Sequence, residues 1–594
     1  MLSKNVFDLL FYFYQNKSAD ITQRRLSEVF ECSLGKVNKI VQEAEETKLL
    51  SVDSEGRYAL TQAGLTALEP YKVRNAVIMA AGMSSRFAPL SYEKPKGLLK
   101  VKGEILIERE IRQLQEAGIT DITLVVGYMK EKFFYLQDKF NVKIVVNEDY
   151  YRYNNTSTLI RVLDKLSNTY ICSSDNYFVD NVFEPYVYQS YYSAVYAAGK
   201  TDEYCLSCDT NGRIKNVTIG GENSWYMLGH VYFDKSFSDA FCPILKKEYE
   251  NQETKDHLWE NLYMRYIKQL SLFIRKYDAD KVLEFDSLDE LRAFDSEYIN
   301  NADSHILKNI CKVLNCEIKD IVNIKAIKAG LTNTSFQFSL NGVNYVYRHP
   351  GVGTEKYINR EGEDFSMKVA SELGLDKTFV HMDGKEGWKI SRFVENAREL
   401  DYHKPKEVTE ALKMMRALHD SGKVSPFDFD VWVKTEEFLD RLEGTGKKDT
   451  EDFIPLLDTM KKVHELVTTD AYAKKCLCHC DCYSPNFLLD DADKMYLIDW
   501  EYSGNDDPAS DLGTFICCSD YGFDEALDII TEYLGRKPEG KELGHYFGYV
   551  AEASYYWYVW ALYQETRGNF MGNWLYMWYS NAKLYSKKTI EQYS

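Results

Sequence analysis

Hydrophobic positions near the start of the chain recur at helical spacing in three stretches. They are Val6, Leu9, Leu10 and Phe13, then Leu26 and Val29, then Leu34, Val37, Ile40, Val41 and Ala44. This spacing predicts three short amphipathic helices. Ser33 is placed to cap the third helix, and two short extended pieces around a glycine follow at residues 51–61.

This order of elements in residues 1–72 resembles a winged helix-turn-helix. In that fold the second helix of the pair enters the major groove of DNA, and here it would present Lys36, Asn38 and Lys39. The segment holds nine basic and ten acidic residues, so the basic excess of a stand-alone DNA-binding domain is missing. DNA binding and a docking or dimerising role are both open.

An apolar strand pattern at residues 76–80 runs into a loop of small residues that ends at Phe87. Small side chains let backbone N–H groups approach phosphates closely. Two basic residues, Arg86 and Lys96, follow the glycine of this loop and could bind phosphate. We therefore expect nucleotide binding by Ala81, Gly82, Ser85, Arg86 and Lys96.

The pattern A-A-G-x-x-S-R-F followed by K-P-K-x-L-L resembles the sugar-nucleotide pyrophosphorylase-like nucleotidyltransferases, and within them the bacterial phosphocholine cytidylyltransferases. The resemblance implies a Rossmann-like domain at residues 73–299 that transfers CMP from CTP to phosphocholine. Strands alternating with helices in this region independently predict a parallel sheet with ligands at the carboxyl ends of its strands.

The same resemblance implies roles for particular side chains in this domain. Arg86 and Lys96 would hold the triphosphate and stabilise the transferring group. Asn154 and Asn155 would bind substrate. Because two anions must meet, we expect Mg²⁺, with Asp175 as its first ligand and Glu260, in Trp259-Glu260-Asn261, as its second.

The pattern changes after residue 300, where alternating apolar positions flank an Asn341-Gly342 turn. This predicts a hairpin in a small β-lobe, preceded by a turn that covers phosphates. In kinase-like enzymes a cation on the returning strand contacts the nucleotide and a glutamate on the next helix orients it. The expected nucleotide-binding residues are Gly330, Asn333, Arg348 and Glu363.

The stretch from His479 to Tyr502 contains the groups that phosphoryl transfer needs. Asp481 is placed to accept the proton of a substrate hydroxyl, and Asn486 and Asp499 to bind Mg²⁺. H-x-D-x-x-x-x-N followed by I-D-W-E-Y-x-G resembles the choline, ethanolamine and aminoglycoside kinase family. The resemblance implies a two-lobed protein-kinase-like domain at residues 300–594 that uses ATP.

Four of the nine tryptophans fall within residues 557–578. A quaternary ammonium cannot donate hydrogen bonds, so proteins hold it with aromatic faces and an occasional carboxylate. Trp557, Trp560 and Tyr579 resemble the family's choline cage, and Glu501 is the expected carboxylate. The alternative is a core helix whose tryptophans pack inward.

Taken together, these sites predict phosphorylation of choline with ATP followed by formation of CDP-choline from CTP, with Mg²⁺ at both sites. Two alternatives are the same chemistry on ethanolamine or a related amino alcohol, and a regulator that uses enzyme-like domains as sensors. The intact carboxylates Asp175, Asp481 and Asp499 argue against a pure sensor.

Composition limits the remaining possibilities. The 594 residues carry a formal net charge of −19, which disfavours nucleic-acid binding as the main activity. We find neither a run of about 18 apolar residues nor a signal-peptide pattern at the start, and expect no membrane insertion and a cytoplasmic location. The thirteen cysteines are expected to be reduced, and a metal site at Cys476, Cys478, Cys480 and Cys482 is disfavoured by their spacing.

Overall fold

The computed structural model describes residues 2–16, 21–54, 56–300, 302–327, 333–351, 354 and 358–594. Contacts between Cα atoms divide the chain into two compact units, residues 1–311 with 317–319, and residues 312–316 with 320–594. Gly330, which the sequence assigns to nucleotide binding, lies outside the described residues. None of the described helices is both long enough and apolar enough to cross a membrane.

The N-terminal segment of the first unit contains the three predicted helices, a fourth helix and a two-stranded antiparallel sheet. The helices are Lys4–Gln15, Gln23–Val29, Leu34–Glu46 and Gln62–Leu68, and the strands are Leu50–Val52 and Tyr58–Leu60. The Ser33 side chain accepts a hydrogen bond from the Lys36 N–H, as predicted for a helix cap. The predicted elements of this segment are confirmed.

Aromatic side chains join this segment to the rest of the first unit. The Phe7 ring lies 5.0 Å from the Tyr71 ring and 5.3 Å from the Tyr188 ring, and Tyr14 meets Tyr186 edge-on at 4.9 Å. One face of the first helix is therefore buried within the unit.

A seven-stranded mixed sheet forms the centre of the first unit. Its strand order is Phe273–Lys276, Tyr191–Cys208, Ile214–Phe233, Thr169–Ser173, Asn75–Ala80, Ile122–Val126 and Lys143–Val146. The last four strands are parallel, which confirms the predicted parallel sheet. The long antiparallel ribbon of Tyr191–Cys208 and Ile214–Phe233 was not predicted.

Helices cover both faces of this sheet. Helix Leu106–Glu116 contributes Ile107, Ile111 and Leu114 to the core on one face, and helix Lys235–Glu248 contributes Phe237 and Phe241 to the other. The remaining helices of this region are Leu90–Glu93, Tyr135–Phe140, Thr156–Leu159, Gln252–Asp256, Trp259–Arg265, Leu288–Phe294, Glu297–Asn300 and His305–Leu314. Both sides of the sheet are thus buried, and the loops at the strand ends remain free for ligands.

The second unit begins with a five-stranded antiparallel sheet and one helix. Its strand order is Val322–Ile327, Asn333–Leu340, Val343–Pro350, Lys389–Arg392 and Phe379–Met382, and the helix is Arg360–Leu373. Asn341 and Gly342 have φ angles of 51° and 79°, as the two central residues of a type I′ hairpin turn require. The predicted hairpin is confirmed.

The rest of the second unit is helical, with two short sheets. The helices are Pro405–His419, Val431–Arg441, Phe453–Thr469, Pro508–Cys517, Phe523–Leu534, Lys541–Thr566 and Asn573–Tyr593. In one sheet the central strand Phe487–Leu489 pairs with Arg398–Glu399 on one side and with Met495–Leu497 on the other. The other sheet pairs Cys476–Cys478 with Gly504–Asp506. A kinase-like fold with a β-lobe and a helical lobe results.

Candidate active sites

A cleft of about 660 Å³ opens at the carboxyl ends of the parallel strands in the first unit. The structure brings to it all but one of the residues that the sequence assigns to this site. They are Ala81, Gly82, Ser85, Arg86, Lys96, Asn154, Asn155 and Asp175. This location is the one expected for ligands of an open α/β sheet.

Lys96 lies at the centre of an ionic cluster in this cleft. Its Nζ is 2.9 Å from Asp175 Oδ2 and 3.3 Å from Glu284 Oε1, and its side chain is only 5% exposed. Burial opposes the charge on Lys96, but Asp175 and Glu284 outweigh it and raise the pKa of the ammonium. Lys96 is therefore a permanent cation.

The two carboxylates beside Lys96 differ in their ionisation. Burial by itself would raise the pKa of Asp175, but Lys96 outweighs it and lowers that pKa. Burial and the charge of Asp175 raise the pKa of Glu284 to about 7. With Asp286 also lining the cleft, the cluster has more acidic than basic groups, and such a site suits a cation.

Two glycines make the close approach of the cleft loops possible. A Cβ on Gly97 would lie 2.8 Å from the Ser174 carbonyl oxygen, and a Cβ on Gly127 would lie 2.9 Å from the Ala81 carbonyl oxygen. Real Cβ atoms do not come so near, so a side chain at Gly97 would push Lys96 away from Asp175. Gly82, by contrast, borders open space.

Glu260, the predicted second metal ligand, is not among the residues that line the cleft. Its carboxylate accepts hydrogen bonds from the Tyr192 hydroxyl at 3.0 Å and the Asn155 amide at 3.4 Å. Glu284 instead shares Lys96 with Asp175, because strand Val282–Glu284 pairs with Asn176–Phe178 and sets Glu284 opposite Asn176. The sequence signal for Glu284 was the pair of acidic residues at positions 284 and 286, which face the same side when the backbone is extended.

Asp481 is the centre of the site in the second unit. The Asn486 amide donates to its Oδ2 at 3.0 Å, and Oδ1 is buried with no hydrogen-bond partner among the described residues. Burial and the negative charge of Asp499 raise the pKa of Asp481 well above its ordinary value. An unpaired buried carboxylate oxygen at this point can accept a substrate hydroxyl.

A buried aspartate that sequence reasoning missed holds the loop of Asp481. Asp511 accepts hydrogen bonds from the backbone N–H of His479 at 2.8 Å and of Cys480 at 2.6 Å, and lies 2.9 Å from His419 Nε2. It comes from helix Pro508–Cys517, all of whose residues are buried. The run Asp507-Pro508, typical of a helix start, was its only sequence signal.

The predicted nucleotide-binding pair Arg348 and Glu363 is brought together. Arg348 donates to Glu363 at 2.6 Å and to Asp499 at 3.3 Å, and Lys389 lies 3.3 Å from Glu363. Burial opposes ionisation of Glu363, but Arg348 and Lys389 outweigh it and lower its pKa to about 2. Lys389 is a second cation that sequence reasoning did not find.

Glu501, predicted to bind substrate, faces the nucleotide side of this site instead. Its Oε2 accepts a hydrogen bond from the Asn333 amide at 2.8 Å and lies 3.6 Å from guanidinium nitrogens of Arg348 and of Arg360. Two cations and an amide hold the carboxylate in this position, and the substrate role of Glu501 stays a prediction. Asn333, predicted to bind nucleotide, is part of the same network.

A small aromatic cavity of about 10 Å³ lies beside Asp481. Of the predicted cage residues only Trp557 lines it, together with Phe429, Tyr502 and Tyr556, which the prediction missed. Tyr502 follows directly from the I-D-W-E-Y motif, whereas Phe429 and Tyr556 carry no comparable signal.

The other two predicted cage residues lie outside the cavity. Trp560 meets Trp557 edge-on at 5.3 Å. Tyr579 donates a hydrogen bond to Asp452 and packs against Tyr558, whereas its neighbour Trp578 stacks on Trp557 at 5.7 Å. Tyr579 is not among the residues that line the cavity, since one residue along a helix turns the side chain by about 100°, and its substrate role stays a prediction.

Comparisons with known proteins identify the same two domains. Residues 324–546 match the family model described as Choline/ethanolamine kinase, and residues 76–235 match the MobA-like NTP transferase domain. A choline-phosphate cytidylyltransferase from Streptococcus pneumoniae is 32% identical over 217 residues, which cover 36% of this chain and 95% of that protein.

Two further relatives are similar to parts of the chain. A 2-aminoethylphosphonate cytidylyltransferase from Lancefieldella rimae is 33% identical, over 38% of this chain and 93% of its own length. Protein LicA from Haemophilus influenzae is 30% identical, over 31% of this chain and 70% of its own length.

The folds and the two sites define a transferase with a kinase domain and a nucleotidyltransferase domain on one chain. The chain belongs to the family of the cytidylyltransferases that it matches, and its C-terminal part is a domain of the choline/ethanolamine kinase family.

Proposed function

We propose that this enzyme makes CDP-choline in two steps, phosphorylation of choline by ATP and transfer of CMP from CTP to the phosphocholine formed. The observation that carries the proposal is the presence, on one chain, of two separate clusters of the side chains that these reactions need. One is the Lys96, Asp175 and Glu284 cluster in its cleft, and the other is Asp481 with its unpaired oxygen beside an aromatic cavity.

In the kinase step the choline hydroxyl attacks the γ-phosphorus of ATP and loses its proton to Asp481. A bond forms between the choline oxygen and phosphorus, and the bond from phosphorus to the β,γ-bridging oxygen breaks to release ADP. The Asn486 amide, 3.0 Å from Asp481 Oδ2, keeps the other oxygen turned toward the substrate. Arg348, held by Glu363, supplies positive charge to the phosphates.

In the second step a phosphate oxygen of phosphocholine attacks the α-phosphorus of CTP, and the α,β-bridging bond breaks to release pyrophosphate. No protein nucleophile is required. Lys96, fixed by Asp175 and Glu284, and the exposed Arg86 neutralise phosphate charge along the cleft.

The oxygen ligands at both sites fit Mg²⁺, which prefers carboxylates and amide oxygens. Asp175 and Glu284 would hold it in the cleft, and Asn486 and Asp499 in the kinase site. When bound, it would neutralise phosphate charge and align the reacting groups. The excess of carboxylates over cations in the cleft, where Asp286 also lies, supports this assignment.

Further acidic and aromatic groups suit a cationic acceptor in the cleft. The pKa of Glu203 is raised by burial and by the charge of Asp286, and that of Tyr226 by burial and by Glu203 and Glu284. Both side chains come from the long ribbon, and the influence of Asp286 and Glu284 on their pKa values indicates that they lie near the acidic cluster. An ammonium group attached to the acceptor phosphate would be attracted there.

The presence of a kinase domain favours a phosphate ester over a phosphonate as the acceptor in cytidylyl transfer. The relative from Lancefieldella rimae is named for 2-aminoethylphosphonate, a compound that already contains its phosphorus and needs no kinase step. A kinase on the same chain supplies a phosphate ester instead. The aromatic walls of Phe429, Tyr502, Tyr556 and Trp557 favour the quaternary ammonium of choline over the primary ammonium of ethanolamine.

Changing Trp557 to alanine is expected to raise the KM for choline by about 30-fold, since a desolvated cation–π contact contributes about 2 kcal/mol. Tyr579→Phe removes only the hydrogen bonds of the hydroxyl with Asp452 and Lys583 and should leave that KM unchanged. Steady-state kinetics at saturating ATP would measure both. Equal effects of the two variants would contradict the placement of the cavity.

Omitting one nucleotide at a time tests the two steps separately. With Mg²⁺ and ATP alone, choline should give phosphocholine and ADP; with CTP alone, phosphocholine but not choline should give CDP-choline and pyrophosphate. Chromatography of the nucleotides detects each product. Absence of turnover in both reactions would favour the alternative of a regulator with sensor domains.

Residues 1–72 have the elements of a winged helix-turn-helix, with Lys36, Asn38 and Lys39 exposed on the third helix. The same surface also exposes Glu43 and Glu46, so DNA binding stays a prediction beside a docking role. We expect no shift of random duplex DNA at low salt in a gel assay, because the basic excess is missing. A salt-sensitive shift would establish the DNA-binding alternative.

A further inference from the structure

Arg360, the first residue of helix Arg360–Leu373, is a buried hub of the kinase site that no motif assigns. Its Nη1 donates to Glu363 at 2.9 Å and lies 3.6 Å from Glu501. Its Nη2 donates to Asn333 Oδ1 at 2.9 Å and to the Thr354 hydroxyl at 3.1 Å. One guanidinium thus joins four separate segments of the second unit.

The contacts of Asn333 and Glu501 make this hub span the two lobes. Asn333 accepts from Arg360 and donates through Nδ2 to Glu501 Oε2 at 2.8 Å. Asn333 begins a strand of the β-lobe, whereas Glu501 comes two residues after Asp499 in the helical lobe. Arg360 therefore fixes both partners of a hydrogen bond that connects the nucleotide-binding lobe to the segment carrying Asp499.

Both terminal nitrogens of the Arg360 guanidinium are bonded to protein groups, and its Nε lies beside Gly387, where an added Cβ would lie 3.1 Å away. Arg348 differs in its partners, because its Nη1 donates to Asp499, the predicted metal ligand. Arg348 therefore lies next to the group expected at the phosphates, whereas Arg360 acts through its protein neighbours.

We propose that Arg360 is a positioning residue for ATP, which fixes the Asn333–Glu501 contact and thereby sets the distance between Arg348 and Asp499. This inference rests on the proposed kinase function. Lysine cannot replace arginine here. The planar guanidinium directs its N–H donors to several partners at once, whereas the ammonium of lysine is a compact charge that cannot reach all of them. Choline binding does not depend on this contact, because Asn333, Arg360 and Glu501 are not among the residues that line the aromatic cavity.

Arg360→Lys is expected to raise the KM for ATP by about tenfold, equivalent to about 1.4 kcal/mol, with the KM for choline and the cytidylyl transfer rate unchanged. Arg398→Lys is the matched control, because Arg398 also bridges two acidic residues, Glu407 and Asp493, but at 39% exposure. A lower melting temperature with unchanged ATP dependence would reduce Arg360 to a structural role and overturn the proposal.

Combining Arg360→Lys with Asn333→Ala tests the route of the effect. If Arg360 acts through Asn333, the double variant should bind nucleotide about as weakly as either single variant. Additive losses would overturn the proposal. Titration of fluorescent mant-ATP without acceptor gives the affinities even if choline is not the substrate, so that failure of the inference is distinguishable from failure of the proposed function.

Gly387 provides an approach that leaves Arg360 itself intact. Gly387 has a φ of 80°, and a methyl group there would press on the Arg360 side chain. Gly342 has a φ of 79° in the same lobe and borders open space. Gly387→Ala should therefore weaken mant-ATP binding more than Gly342→Ala, which carries the same backbone strain, and equal effects would overturn the proposal.

Discussion

Asp481→Asn should lower the rate of choline phosphorylation by about 10²–10⁴-fold, the usual contribution of a positioned general base. The asparagine keeps the shape of the side chain and its place beside Asn486 but cannot take the hydroxyl proton. Conversion of supplied phosphocholine to CDP-choline should continue at the rate of the unmodified enzyme, because the cleft with Lys96 belongs to the other compact unit.

The test of Asp481 is a pair of assays on one protein preparation. ADP release with choline and ATP measures the first step, and pyrophosphate release with phosphocholine and CTP measures the second. Asp528→Asn, an exposed position on helix Phe523–Leu534, is the matched control and should change neither rate. Kinase activity retained in Asp481→Asn would remove Asp481 as the base.

Asp175→Asn should have the second large effect, a loss of cytidylyl transfer by about 10²–10³-fold, as expected when a preorganised electrostatic group is removed. Asp175 neutralises and fixes Lys96 at 2.9 Å and is the proposed metal ligand. Phosphocholine should then accumulate from choline and ATP without CDP-choline, since the kinase site is unchanged.

A comparison of two glutamates sharpens this prediction. Glu284→Gln should lose activity on the scale of Asp175→Asn, because Glu284 shares Lys96 with Asp175. Glu260→Gln should lose much less, because Glu260 is bonded to Tyr192 and Asn155 outside the cluster. Pyrophosphate release measures all three variants. A larger loss in Glu260→Gln than in Glu284→Gln would restore the ligand expected from the sequence.

The sequence predicted well those features that depend on local pattern. The buried strand Ile122–Val126 and the capped helix at Ser33 follow from periodicity and capping, and Asn341-Gly342 from turn chemistry. Asp175 and Asp481 could be predicted from the sequence because each lies in a short motif. Such signals need no knowledge of distant parts of the chain.

The structure departs from the expected arrangement of side chains where long-range packing decides their positions. Glu284 reaches Asp175 only through pairing of two strands more than a hundred residues apart, with Glu284 opposite Asn176. Tyr579 and Trp578 are equally good aromatic candidates in sequence, and packing of two helices turns Trp578 to Trp557. Glu501 lies in a motif predicted to bind substrate, and in the structure its carboxylate contacts Asn333 and Arg360, which are distant in sequence.

The most direct test of the two-site account is ³¹P NMR of the full chain with Mg²⁺, ATP, CTP and equal amounts of choline and ethanolamine. The account predicts a transient phosphocholine signal followed by the diphosphate diester of CDP-choline, with little of the ethanolamine product. CDP-ethanolamine as the main product would contradict the aromatic selection of choline, and ATP and CTP left unchanged would contradict both active sites.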